Sequence, residues 1–102
     1  MALQAAFIFL APGADATKHR SVVQTPGVDL TVVGVPNYAE AERAARDLIG
    51  KGIAAIELCG GFGTGGAARI AAVAGDKAAV GVVRFDGHPG LGGKSGDAVF
   101  NT

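Results

Sequence analysis

Four short apolar runs, each bounded by Gly or Pro, constrain the fold of this chain more than any other feature of its sequence. The runs are AAFIFL (5–10), DLTVVGV (29–35), IAAIEL (53–58) and AVGVVRF (79–85). Their apolar character is nearly continuous rather than alternating, which is typical of strands that are buried on both faces of a parallel sheet. The sequence therefore predicts four strands of such a sheet.

Three helical patterns separate the predicted strands. The clearest spans 37–52, with Asn37 as its N-cap and an apolar stripe of alanines and a leucine. A second spans 64–75, and the weakest spans 15–25. The resulting β-α-β-α-β-α-β order predicts an α/β fold, a three-layer sandwich with a four-stranded, mainly parallel sheet of the flavodoxin-like or Rossmann-like kind. We expect the strand order 2-1-3-4.

The length and composition fit one small α/β domain spanning 1–102. Residues 86–102 form a Gly-rich C-terminal tail that we expect to be mostly loop, with DAVF adding an edge strand or docking on a neighbouring subunit. A chain of 102 residues buries a modest fraction of its surface, so its stability is marginal. We therefore expect a homo-oligomer.

Charge and hydropathy exclude several classes of protein. Nine basic and nine acidic residues give no net charge and no polybasic run, so we expect no nucleic-acid partner. No apolar run approaches the ~20 residues that span a bilayer. No Lys or Arg precedes the short N-terminal apolar stretch, so we interpret it as a strand and not a signal peptide. The single cysteine excludes an intramolecular disulfide and indicates a cytoplasmic protein.

The less common polar residues concentrate where the predicted strands end. In open α/β sheets, ligands bind beyond the carboxyl ends of the strands. Those ends are LAPGAD, VGVPN, ELCGGFG and RFDGHPG, and the candidates in or beside them are Asp15, His19, Arg20, Asn37, Glu57, Cys59, Arg84, Asp86 and His88. We therefore predict a ligand or active site at this edge, with Asn37 and His19 among its binding residues.

A glycine-rich turn follows the third predicted strand. Gly61, Gly63 and Gly66 match G-x-G-x-x-G between a strand and a helix. Together with Gly60, the backbone N–H groups of such a turn favour an anion at the helix N-terminus. One alternative is a nicotinamide or flavin dinucleotide, although the chain has about half the length of the full fold. The other is a tight turn without a ligand, and we predict no cofactor.

Glu57 and Arg84 form the first candidate pair. Glu57 lies in an otherwise apolar run, and a buried carboxylate must be paired or protonated. Arg84 at the end of the next strand is its expected partner. The pair is then either a structural ion pair or a general base with an arginine that holds an anionic substrate.

Cys59 and His88 form the second candidate pair. Strand alternation is expected to place Cys59 on the same face as Glu57. A thiol near a helix N-terminus can act as a nucleophile, with His88 as its base, or it can be a small packed side chain. Asp86 and His88 have a spacing that two metal ligands can share, but no dense His/Cys pattern accompanies them, and we predict no metal.

The segments FIFLAPGADATKHR, TVVGVPNYAEA, AAIELCGGFG and VGVVRFD together resemble an uncharacterised family of short bacterial proteins of about a hundred residues. The most specific match is IELCGGFG followed by VGVVRFD. The resemblance covers residues 5 to about 87 and implies a compact α/β domain in the cytoplasm. It implies no reaction, cofactor or catalytic residue.

Two functional classes follow. The first is a ligand-binding protein or small enzyme (isomerase, lyase or hydrolase) for a small anionic metabolite. Arg84, Asp86 and the glycine turn would hold the anion, and Glu57, Cys59 and His88 would carry out any chemistry. The second is a non-catalytic scaffold module that docks a partner protein through its strand-end loops. The sequence leaves open whether the protein is an enzyme.

Overall fold

A computed structural model describes residues 1–85 and 87–102 as a five-stranded sheet with helices packed on one face. The strands are β1 (Leu3–Leu10), β2 (Arg20–Gln24), β3 (Val28–Val35), β4 (Ala55–Leu58) and β5 (Ala79–Val82). The helices are α1 (Tyr38–Gly50), α2 (Thr64–Ala74) and the short α3 (Gly96–Val99), with a 3-10 turn at Pro89–Leu91.

The strand order is β2-β3-β1-β4-β5. The four predicted strands are present as β1, β3, β4 and β5, parallel and in the predicted order. The prediction of four strands was wrong, because β2 adds a fifth strand antiparallel to β3 and makes the sheet mixed. A flavodoxin-like relationship stays a prediction.

The helix predicted at 15–25 is replaced by a turn and a hairpin strand. The Asp15 carboxylate accepts hydrogen bonds from the main-chain N–H and the hydroxyl of Thr17, which fixes the turn. Beyond it, β2 pairs with β3 through a short connection in which Thr25 and Val28 exchange hydrogen bonds. The β-branched pair Val22 and Val23 suits this strand, and a local hairpin partner outweighs the weak helical pattern.

The predicted three-layer sandwich is wrong because the described helices cover a single face of the sheet. A right-handed crossover helix between β1 and β3 would have covered the other face, but β2 takes its place. One buried cluster joins alternate sheet residues to the helices. Its larger members are Ile8, Val33, Val35, Tyr38, Leu48, Ile53, Ile56, Leu58, Phe62, Ile70 and Phe100.

The C-terminal segment folds against the rest of its own chain. DAVF does not form the predicted edge strand, and most of it lies in α3. Its docking on a neighbouring subunit stays a prediction. Phe100 is 5% exposed in the core, and its carbonyl accepts a hydrogen bond from the N–H of Tyr38. Arg69 on α2 forms a two-pronged ion pair with Glu42 on α1 and donates to the side chain of Asn101.

The helices are short. The longest, α1, has 13 residues. Within the described part of the chain, no helix combines the length and the apolar character needed to cross a membrane.

Candidate functional site

A cleft of about 470 Å³ opens beyond the carboxyl ends of β1 and β4, beneath the C-terminal segment. It lies at the edge of the sheet where the sequence predicted a site. Its wall is mostly apolar, and three of its side chains carry reactive or charged groups: Cys59, His88 and Lys94. The remaining lining residues are Leu10, Ala11, Pro12, Gly61, Gly90, Leu91, Val99 and Phe100.

Cys59 follows directly after β4 and is half-buried in the cleft wall. Its sulfur accepts hydrogen bonds from the N–H groups of Leu10, at 3.4 Å, and Gly61, at 3.3 Å. These bonds hold the thiol between the end of β1 and the glycine turn. The prediction that Cys59 shares a face with Glu57 was wrong, because Cys59 packs against the buried core cluster whereas Glu57 is exposed.

His88 enters the cleft from the C-terminal segment. Its Nδ1 accepts a hydrogen bond from the N–H of Gly90 at 3.0 Å, and its ring packs against Phe85 with 4.6 Å between the ring centroids. Because Nδ1 is an acceptor, this geometry assigns the proton of the neutral ring to Nε2, which can donate to a ligand. His88 and Cys59 line the same cleft, but no hydrogen bond joins their side chains.

Lys94 is the functional candidate that the sequence did not suggest. Its carbonyl accepts a hydrogen bond from the N–H of His88, and the two residues form an isolated antiparallel bridge. None of the described salt bridges includes its ammonium group. A lysine in GGKSG has no local pattern that marks it, because docking of the C-terminal segment is what brings it to the cleft.

The N-terminus of α2 already holds an anion from its own chain. The Asp97 carboxylate accepts hydrogen bonds from the N–H of Gly65, at 2.8 Å, and of Gly66, at 3.1 Å. It also accepts one from the Tyr38 hydroxyl at 2.7 Å, and the hydroxyl oxygen accepts one from the N–H of Gly63. A carboxylate is favoured at this position by the helix dipole and the unpaired N–H groups.

The pKa values of Asp97 and Tyr38 reflect this cluster. Partial burial acts to raise the pKa of Asp97, but hydrogen bonds from Tyr38, Gly65 and Gly66 outweigh it and hold the pKa below 3.8. Burial, aided by the hydrogen bond to Asp97, raises the pKa of Tyr38 to about 12. The cluster therefore contains an ionised carboxylate and a neutral phenol near neutral pH.

Glycines in the turn and in the C-terminal segment permit close packing around the start of α2. A Cβ on Gly66 would overlap the Tyr38 ring, and one on Gly96 would overlap the carbonyl of Gly61. This geometry supports the tight-turn interpretation of the G-x-G-x-x-G match. Binding of an external anion by Gly60, Gly61 and Gly63 stays a prediction, although the N–H groups of Gly61 and Gly63 already have partners within the chain.

Glu57 is exposed, which contradicts the expectation that it is buried. It points to the sheet face without helices, in register with Phe7 on β1 and Gly81 on β5. Arg84 lies beyond β5 and lines a different cleft, of about 260 Å³, with Phe62 and Phe85. The predicted Glu57–Arg84 ion pair is not formed in the described structure.

The other predicted site residues are dispersed. The Asn37 side chain caps α1 by accepting a hydrogen bond from the N–H of Glu40 at 2.9 Å, which confirms the predicted cap. His19 is exposed in the turn before β2, where its Nδ1 accepts a hydrogen bond from the N–H of Asp15. Asp86 lies outside the described residues. Of the predicted catalytic residues, only Cys59 and His88 share a cleft.

The described residues place no three His, Cys, Asp or Glu side chains where they could share a metal ion.

Comparison with known proteins gives one match. A family model described as a family of unknown function (DUF6506) matches residues 3–98. Searches of curated proteins and of solved structures found no match. The expectation of an uncharacterised family is confirmed, whereas the bacterial origin and the particular segments that carry the resemblance stay predictions.

Proposed function

Because this chain belongs to the family of unknown function DUF6506, its function must be inferred from its own geometry, and we propose that it binds a small carboxylate-bearing metabolite in the cleft beyond β1 and β4. The observation that carries the proposal is the placement of Lys94 on an apolar wall beside Cys59 and His88. The volume of about 470 Å³ is within the range of small-molecule sites.

Each group in the cleft has a distinct part in binding. The Lys94 ammonium is a point charge that pairs with the carboxylate of the ligand. The Nε2–H of His88 donates a second hydrogen bond to the ligand. Leu10, Leu91 and Phe100 cover its apolar part, which favours a ligand with both a carboxylate and a hydrocarbon portion.

Binding is favoured over catalysis by the hydrogen bonding of His88. A base for the Cys59 thiol needs a free ring nitrogen within reach, whereas Nδ1 of His88 is bonded to Gly90 and Nε2 carries the proton. Chemistry by Cys59, His88 or Glu57 therefore stays a further proposal. Docking of a partner protein by the strand-end loops is the second candidate, and the concave shape of the cleft favours the ligand. The single cysteine, which is unpaired, fits a cytoplasmic location.

The test is a thermal-shift and calorimetric screen of small carboxylates, with inorganic phosphate for comparison. We expect a carboxylate to raise the melting temperature of the wild type, since a ligand that binds only the native state stabilises it. Lys94→Ala should weaken binding at least about tenfold, a change of about 1.4 kcal/mol. Lys77→Ala, at a lysine beside a separate hollow formed with Arg46 and Val73, is the matched control.

The result that contradicts the proposal is equal affinity of wild type and Lys94→Ala for every carboxylate that binds. A complementary measurement is the rate at which iodoacetamide alkylates Cys59. A ligand in the cleft should slow alkylation in the wild type, and a binder that leaves the rate unchanged binds elsewhere.

A further inference from the structure

The sheet face opposite the helices is apolar and uncovered in the described structure. Strand alternation places a set of large apolar side chains on it, and Leu3 and Val23 are 47% and 55% exposed. The set comprises Leu3, Phe7, Phe9, Val23, Val28, Leu30 and Val32. All-parallel sheets occur almost only with both faces covered, and four of the five strands here are parallel. A second layer is therefore expected from outside this chain.

The side chains on this face are large over β1 and β3 and small over most of β4 and β5. The Phe9 ring lies across Gly34, where an added Cβ would come within 2.7 Å of the ring. On the side of β4 and β5 the positions are small: Ala55, Ala79 and Gly81. Two such faces can pack about 10 Å apart, as in β-sandwiches.

Negative and positive side chains lie on opposite sides of β1 on this face. Glu57, on β4, is the carboxylate at one side of β1. On the other side is a recess of about 340 Å³ at the β2 edge, with Lys18 in its rim. Arg20 also lines the recess, but it is in register with Val33 and so belongs to the helix-covered face. Phe9, His19, Ser21 and Val32 complete the lining of this basic recess.

Two-fold symmetry brings these opposite charges together. Consider two copies whose open sheet faces are opposed and which are related by a two-fold axis that runs parallel to β1, midway between the sheets. In this arrangement β4 of one copy lies over β3 of the other. In the sheet register, Glu57 on β4 is paired with Phe7 on β1, and Phe7 is paired with Val32 on β3. The Glu57 carboxylate of each copy therefore faces Val32 of the second copy, at the edge of its basic recess.

We propose that two copies of this chain associate through their uncovered sheet faces, with Glu57 of each copy seated against Lys18 of the other. The contact is isologous, so both ion pairs form at once. Charge complementarity fixes the register of the two sheets, and burial of the apolar side chains drives association.

The area of the open sheet face is sufficient for a dimer interface at the lower limit of the areas that specific interfaces bury. Strands of 8, 5, 8, 4 and 4 residues, with ~3.3 Å per residue and ~4.8 Å between strands, cover roughly 450 Å² in each copy. Two copies then bury roughly 900 Å² before the turns are counted, close to the ~1,000 Å² expected of a biological interface. We therefore expect association that depends on protein concentration.

The test is a charge-swap experiment read by sedimentation velocity from about 1 to 200 µM. Wild type should be a dimer at the upper concentrations. Glu57→Arg, and separately Lys18→Glu, should each raise the dissociation constant at least about tenfold, because like charges then face each other. A mixture of the two variants should recover dimers, since both contacts become complementary.

Asp76→Arg, which changes an exposed acidic residue in the turn before β5, is the matched control and should leave the dimer intact. Circular dichroism confirms that each variant is folded, and all the altered side chains are exposed. The proposal is overturned if wild type is a monomer throughout this range. It is also overturned if the dimer forms but neither charge reversal weakens it, because the contact then lies elsewhere.

Discussion

At the scale of single residues, Asp97 is the group whose role depends most on the fold. Its carboxylate accepts hydrogen bonds from Gly65, Gly66 and Tyr38, and so joins the C-terminal segment to the start of α2 and the start of α1. No local pattern in SGDAVF marks this contact, because the partners lie 31 to 59 residues away. Asn37, by contrast, caps a helix three residues from its partner and was predicted.

Asp97→Asn tests the contribution of this carboxylate and its dependence on pH. The folded pKa lies below 3.8, so the charge stabilises the native state above pH 3.8, and that contribution is lost as the pH falls through the folded value. Near neutral pH the variant should be less stable by about 1.5–3 kcal/mol, the range for hydrogen bonds to a charged group. Urea unfolding at roughly pH 7 and roughly pH 3 measures the difference.

The difference between wild type and Asp97→Asn should shrink at the lower pH. The pKa values of Asp15 and Glu42 are also lowered in the folded state. Because the wild type and the variant both contain these residues, their contributions cancel in the difference in unfolding free energy. A difference that stays constant across the pH range would contradict the role assigned to the charge.

Gly66→Ala tests the close approach of α2 to Tyr38. In an ordinary helix, replacing glycine by alanine stabilises by about 1 kcal/mol. Here the added Cβ would overlap the Tyr38 ring, so we expect a loss of about 1–3 kcal/mol from overpacking. Gly50→Ala is the control, since Gly50 is in α1 with nothing within 4 Å of its Cβ position, and chemical denaturation of both variants should give opposite signs.

At the scale of secondary-structure elements, the C-terminal segment departs most from its predicted structure. Its composition predicts a loop, yet it contains a 3-10 turn and α3, and it forms one wall of the cleft. The segment is held by Phe100 in the core and by hydrogen bonds from Arg69 to the Asn101 side chain and the Thr102 carbonyl. A high glycine content predicts tight turns, but it does not predict which part of the protein the segment packs against.

Phe100→Ala should therefore cost about 3–5 kcal/mol, as for other buried phenylalanines. Val99→Ala is the neighbouring control, because Val99 is 45% exposed and its truncation should cost much less. Urea denaturation followed by circular dichroism provides both values. If Phe100→Ala were as stable as Val99→Ala, the docking of this segment on the core would be incorrect.

At the scale of the whole molecule, the uncovered sheet face connects stability with association. If two copies bury this face, dimerisation favours the native state by mass action, and the melting temperature rises with protein concentration. We expect this rise in the wild type over a hundredfold concentration range. Glu57→Arg should melt at a temperature nearly independent of concentration, and scanning calorimetry measures both dependences. A wild-type melting temperature that does not change with concentration would argue against the dimer.

The sequence by itself determined the four parallel strands, their order, the two main helices and the edge of the sheet where the cleft lies. These features follow from hydrophobic periodicity and crossover handedness, which are local or nearly local properties. The tertiary structure decided that residues 20–24 pair with β3, that one sheet face is left without a helix, and that Glu57 is consequently exposed. It also decided that Lys94 reaches the cleft and that Asp97 occupies the N-terminus of α2. These outcomes depend on contacts between segments that are distant in the sequence. The helix or strand preference of a short segment does not predict such contacts.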